Sequence, residues 1–167
     1  MMTQKRKSPQ KNPDKRRVAV YGRIADGQGG LEILSEYYST LIQSTPEWSM
    51  AGIFLETCPA SLPADRRPAF RNLLRKCRAK QVDLVLVRSI SCLARNTAEC
   101  LRYVRKLREE GIEIRFEKEN LGTEDPALDI AMELLKLLAE SEARYLSGKS
   151  FGWPAGRRSI HRGREYP

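Results

Sequence analysis

The sequence predicts a three-layer α/β sandwich: a mostly parallel sheet of four to five strands, closed by a long C-terminal oligomerisation helix. Two observations carry this. Strand-like and helix-like segments alternate along the chain, and that order favours parallel strands joined by crossover helices. One strand candidate, "VDLVLVRSI", is apolar almost throughout, as a strand covered on both faces must be.

The elements follow in order. "RRVAVYGRI" is the first strand. "LEILSEYYSTLIQ" is a helix with Leu31, Leu34, Tyr38 and Leu41 at helical spacing, and Pro46 ends it. "WSMAGIFLET" is the second strand, and the proline-rich "TCPASLPADRRP" is a loop. "AFRNLLRKCRAK" is a basic helix with Phe70, Leu73, Leu74 and Cys77 on one face. After the apolar strand, Asn96 is a capable N-cap with Glu99 three residues on, close to a capping box. Cys100, Val104 and Leu107 form that helix's stripe, and Gly111 closes it. "IEIRFEKE" alternates, so it reads as a strand with one wetter face. Asp125-Pro126 supplies the N-cap and first position of "ALDIAMELLKLLAESEARYL". Its apolar residues, from Leu128 through Ile130, Met132, Leu134, Leu135 and Leu137 to Leu138, wrap most of the circumference. The surplus is covered by a second subunit or by burial on two sides within one domain. Gly148, Gly152 and Pro154 break the pattern beyond.

These limits give residues 1–16 as a basic tail, 17–147 as one domain and 148–167 as a second basic tail. The chain's 167 residues suffice for a real core. No apolar run is long enough to span a membrane, and the basic N-terminus lacks the apolar stretch of a secretory signal. The net charge is +9, unevenly spread. Residues 1–17 carry seven Lys/Arg against one Asp, and residues 149–167 carry five against one Glu, so the remaining stretch is close to neutral. Such ends read either as solvated tails or as phosphate-seeking arms. Cys58, Cys77, Cys92 and Cys100 lack metal-ligand spacing, and one histidine argues against a zinc site; free thiols in a cytoplasmic protein are the expectation.

Three arginines stand out. Arg23 lies at the carboxyl end of the first strand, the rim where open parallel sheets bind ligands. Arg95 precedes a helix start, where a cation is mildly unfavourable unless an anion lies between it and the exposed N–H groups. Arg67 precedes a proline at another helix start. They read as ordinary surface arginines or as a clamp for one phosphate.

"YGRIADGQ" resembles the opening motif of the serine recombinases, the resolvase/invertase family: Tyr-x-Arg-Val/Ile-Ser-Thr followed by Gln. "DRRPAF" resembles their Arg-Pro-x-Phe/Leu segment, and "VRSISCLARNTAEC" their Lys-Ser-Ile-Ser-Arg-Phe-Ala-Arg-Asn-Thr stretch. "GIEIRFEKENLGT" resembles their last strand, and "LLKLLAESEARYLS" the start of their long helix. The likeness runs collinearly from about residue 17 to 147. It implies a resolvase-like catalytic fold, DNA as the partner, and assembly as a homodimer or higher oligomer, with an intact recombinase as another partner. It also implies metal-free, cofactor-free chemistry in which a serine attacks a DNA phosphodiester while arginines neutralise the developing charge. Arg23, Arg67 and Arg95 fall on three of those DNA phosphate-binding, catalytic arginines.

The departures lie at the chemistry. Ala25 occupies the nucleophile's position, and Cys92 that of a fourth active-site arginine. Ser91 stands where many small members have aspartate, though larger members also show serine there, and the loop before Gln28 is one residue shorter. Relatives continue into a helix-turn-helix domain or a large recombinase region, where this chain has a glycine- and proline-broken basic stretch. The expectation is a DNA-associated, dimerising homologue inactive in strand cleavage. The rivals are an active recombinase in nucleophile-substituted form and a decaying fragment without selected function.

Overall fold

A computed structural model of the chain describes residues 14–25 and 29–146. The five strands are β1 (Arg16–Ile24), β2 (Trp48–Thr57), β3 (Leu84–Val87), β4 (Glu113–Phe116) and β5 (Leu121–Gly122), in the order β2-β1-β3-β4-β5. All neighbours are parallel except β4 and β5. The helices are α1 (Leu31–Gln43), α2 (Pro68–Arg78), the short α3 (Ile90–Leu93), α4 (Thr97–Glu109) and α5 (Pro126–Leu146), with a 3-10 turn at Ala64–Arg66.

Strand alternation divides the core. Val18 and Val20 of β1, with Leu84 and Leu86 of β3, face α1, where Tyr38 and Ile42 are buried against them. Ala19, Tyr21, Val85, Val87, Ile114 and Phe116 face the other way, onto α2, α4 and the start of α5. Phe70 of α2 centres that second layer, edge-on to Tyr21 at 5.0 Å and to Tyr103 of α4 at 4.8 Å. Phe70, Leu73, Leu74 and Cys77 are all buried, as their spacing predicts. On α1 the buried pair is Tyr38 and Ile42, while Leu34 and Leu41 are only partly covered.

Two boundaries differ from the sequence expectation. The apolar "VDLVLVRSI" keeps only its middle four residues as strand, because at Ser89 the chain turns into α3. β4 stops at Phe116, and residues 117–120 turn, with Asn120 at φ 51°, to bring β5 back antiparallel. Arg16 and Arg17 open β1, as the reading of "RRVAVYGRI" has it, and their charges are matched by Glu113 and Asp83.

The two faces of α5 are treated differently. Asp125 Oδ1 accepts the Ala127 N–H at 2.8 Å, the expected N-cap. Leu128 and Met132 are buried, whereas Ile130, Leu134, Leu137 and Leu138 are all more than half exposed. No helix among the described residues is long and apolar enough to cross a membrane. The expectations for residues 1–13, for the loop before Gln28 and for the basic stretch after Leu146 lie outside the described residues.

Candidate functional site

The chain builds β2 on one side of β1 and then β3 on the other. That reversal opens a crevice at the carboxyl ends of β1 and β3, the usual ligand position in open α/β sheets. A cleft of about 990 Å³ lies there, with Arg23, Ser91, Arg95, Asn96, Cys100 and Glu119 among its lining residues. Arg23 and Arg95, which are distant in sequence, therefore meet at one site.

Each is presented by local structure. Arg23 is the penultimate residue of β1, so its side chain emerges at the rim. Its Nη1 donates to the Cys58 carbonyl at 2.9 Å, while its Nε is buried and has no hydrogen-bond partner among the described residues. Arg95 lies in the extended segment between α3 and α4. Asn96 caps α4 by accepting the Glu99 N–H at 2.8 Å. Glu99 does not close the reciprocal capping box through Asn96. Its carboxylate accepts the Arg95 N–H at 2.9 Å and the Ala64 N–H at 3.1 Å, tying the 3-10 turn to the α4 entrance. This fixes the Arg95 backbone and leaves its guanidinium exposed, in no ion pair among the described residues. The combination of two cations with the N–H groups of a helix start suits an anion.

Arg67 is in a different state. It is fully buried. Nε donates to the Leu62 carbonyl at 2.9 Å, Nη2 to Ala60 at 3.3 Å, and Nη1 to Cys92 at 3.0 Å and Leu93 at 3.4 Å. Nη1 also donates to the Tyr21 hydroxyl at 3.3 Å, and that hydroxyl donates to Glu56 at 2.8 Å. Burial pushes the Tyr21 phenol well above its ordinary pKa, keeping it a donor. Glu56 also accepts the Ala69 N–H at 2.9 Å, at the start of α2. Arg67 thus braces the 58–67 loop against the 92–93 segment, with Glu56 as counter-charge one hydroxyl away.

Ala25 is exposed, two residues beyond Arg23, and offers only a methyl group. Cys92 is buried beneath β1 and does not line the cleft. Its thiol donates to the Arg23 carbonyl at 3.7 Å and accepts from the Ser89 hydroxyl at 3.1 Å, which is itself 2.9 Å from Ser91 Oγ. Cys100 reaches the cleft, but burial, with Glu119 and Glu99 nearby, pushes its thiol up to about 12, so it remains protonated and unreactive. Among the described residues no group of His, Cys, Asp and Glu could hold a metal ion.

Of the five residues the sequence singles out, the cleft gathers Arg23 and Arg95, while Arg67 and Cys92 lie behind it. Sequence reasoning missed Tyr21, Glu56 and the bridging role of Glu99. The available signal was Glu56 itself, the one charged residue of a largely apolar strand and one residue from its end.

The family model described as Resolvase, N terminal domain, matches residues 18–150. No curated protein sequence matches the chain. Among solved structures, the N-terminal catalytic domain of TP901-1 integrase is similar at 20% identity and a TM-score of 0.61, over 78% of this chain and 98% of that one. A resolvase family site-specific recombinase from Streptococcus pneumoniae is similar at 18% identity and a TM-score of 0.64, over 80% and 91%. At these identities the two structures speak for the fold.

Proposed function

Because the chain belongs to the resolvase family of serine recombinases, matching its N-terminal domain along most of its length, we propose that it is a DNA-associated, dimerising homologue that holds a backbone phosphate without cleaving it. One observation carries this. Arg23 and Arg95 face a common cleft, Arg23 Nε has no partner among the described residues, and the neighbouring position 25 is alanine.

The chemistry follows from what remains. Two guanidiniums and the α4 N–H groups attract a phosphodiester. Arg67 positions the loop and the Cys92-Leu93 backbone and leaves anion contact to the other two. Cleavage needs an attacking oxygen, and Ala25 has none. Loss of a covalent nucleophile typically costs about a million-fold in rate. Without the arginine that Cys92 replaces, a further factor of about a hundred to a thousand is lost where the effects are independent. The exposed apolar face of α5, Ile130 with Leu134, Leu137 and Leu138, supports self-association or pairing with an intact relative.

The rival reading, an active enzyme with only its nucleophile replaced, is disfavoured by Cys92. The thiol is packed into the core, so this second departure is accommodated structurally. The test is covalent protein–DNA adduct on a labelled suicide substrate, resolved on a denaturing gel. The unmodified chain and Ala25→Ser should both give none. Adduct from the unmodified chain overturns the proposal, and strong adduct from Ala25→Ser alone overturns the role assigned to Cys92.

A further inference from the structure

A second basic surface lies away from the cleft. The groove between α2 and α4 has a volume of about 490 Å³ and is lined by Arg71, Arg75, Arg78, Arg102 and Lys106, with Asp65 the one acid. It shares no lining residue with the cleft. None of the five cations is in an ion pair among the described residues, whereas Arg16, Arg17, Arg108 and Arg115 are.

We propose that this groove is a separate docking surface for the sugar–phosphate backbone of duplex DNA. The choice of DNA as the polyanion rests on the functional reading above; the groove's polyanion character does not.

Three features support it. The first is spacing. Arg71, Arg75 and Arg78 fall at i, i+4 and i+7 on α2, and Arg102 and Lys106 at i and i+4 on α4. At 1.5 Å per residue the α2 row is about 10 Å long. Duplex DNA carries one charge per roughly 1.7 Å of axis, so such a row faces several phosphates at once. The second is preorganisation. Arg102 lies over the Tyr103 ring, 4.9 Å from its centroid, and donates to the Tyr103 hydroxyl at 3.2 Å. Tyr103 is in turn fixed against Phe70. The third weighs against a protein partner. The groove's apolar residues, Leu74 and Tyr103, are both buried in the core, so it offers no apolar anchor of the kind protein interfaces use. A surface of arginines without such an anchor fits the polar, strongly positive interfaces made with DNA.

The experiment uses the full chain and a labelled duplex of unrelated sequence, with affinity measured from 50 to 200 mM salt. Each phosphate contact adds about 0.9 to the slope of log affinity against log salt. The variant Arg75→Ala/Arg102→Ala/Lys106→Ala should lower that slope by about three. A companion variant, Arg75→Lys/Arg102→Lys, keeps the charge and should keep the slope; a thermal melt of each variant separates lost contacts from lost fold. The cleft variant Arg23→Ala/Arg95→Ala is measured alongside. A fall in slope for the groove variant alone supports the groove and counts against the cleft. A fall for the cleft variant alone overturns the groove and leaves the cleft standing. Polyglutamate serves as the acidic-protein probe: if the groove variant loses it while its DNA slope is unchanged, the proposal is overturned.

Discussion

The strand β1 carries arginines at both ends, and the two ends are built oppositely. At the amino edge of the sheet, Arg17 grips Asp83 through Nε at 2.8 Å and Nη2 at 2.6 Å, and Arg16 pairs with Glu113. At the carboxyl edge, among the described residues, Arg23 finds one carbonyl and leaves Nε without a partner, and Arg95 has no carboxylate. One chain with one supply of acids neutralises the first pair and leaves the second open. An edge whose only task is to hold the fold satisfies its charges internally. On the proposed reading, an edge left uncompensated at the position where parallel sheets bind ligands receives a charge from outside.

Arg67 provides the largest expected effect, because it is the carboxyl-edge arginine built like an amino-edge one. Arg67→Ala would leave several buried carbonyls and the Tyr21–Glu56 pair without their donor. The expected cost is about 3 kcal/mol or more in urea unfolding. A cost below about 1 kcal/mol would break the distinction between brace and clamp.

The two faces of α5 sharpen the same contrast between satisfied and open surfaces. Met132→Lys places a charge in the core and should destabilise by roughly 2–4 kcal/mol. Leu134→Lys, on the exposed face, should change stability by no more than about 0.5 kcal/mol. It should nevertheless abolish self-association in sedimentation at micromolar concentration. Equal destabilisation by both would mean that the outer face is buried within one domain.

A smaller effect separates the amino edge by pH. The hydrogen bonds from Arg17 hold the Asp83 carboxyl below the usual carboxylate range. A depressed folded pKa stabilises fully above the unfolded value near 4 and is lost as pH falls through the folded value. Asp83 is 38% exposed at its side chain, so solvent limits the contribution to about 1 kcal/mol or less. Asp83→Asn should remove that increment at neutral pH and flatten stability against pH below 4. An unchanged acid limb in chemical denaturation at stepped pH would contradict this.

Local signals made much of the fold legible. Alternation and proline gave β1, α1 and β2 to the residue, and Asn96 and Asp125 marked the starts of α4 and α5. β5 was not legible because two residues carry no periodicity, and it exists only through its pairing with β4. The site was half legible. Strand-end and helix-start positions point to Arg23 and Arg95, since the backbone alone decides where they emerge. Nothing local distinguishes Arg67, which stands at a helix start just as Arg95 does. Its burial is decided by carbonyls from residues 60, 62, 92 and 93, a tertiary fact. Glu99 likewise reads as a cap partner and serves as a bridge to Ala64.

The most direct test of the contrast between the two edges is the thermal midpoint as inorganic phosphate is added, with chloride at equal ionic strength as the control. A ligand bound only by the folded state stabilises by about 1.4 kcal/mol at ten times its dissociation constant. The unmodified chain should gain midpoint with phosphate. Arg17→Ala should start lower and gain just as much. Arg23→Ala/Arg95→Ala should start within a degree or two of the unmodified chain, as expected for roughly 0.5 kcal/mol at sites outside the core, and lose most of the gain. An undiminished gain in that double variant, or a gain lost in Arg17→Ala, would contradict the assignment of the carboxyl edge as the anion site.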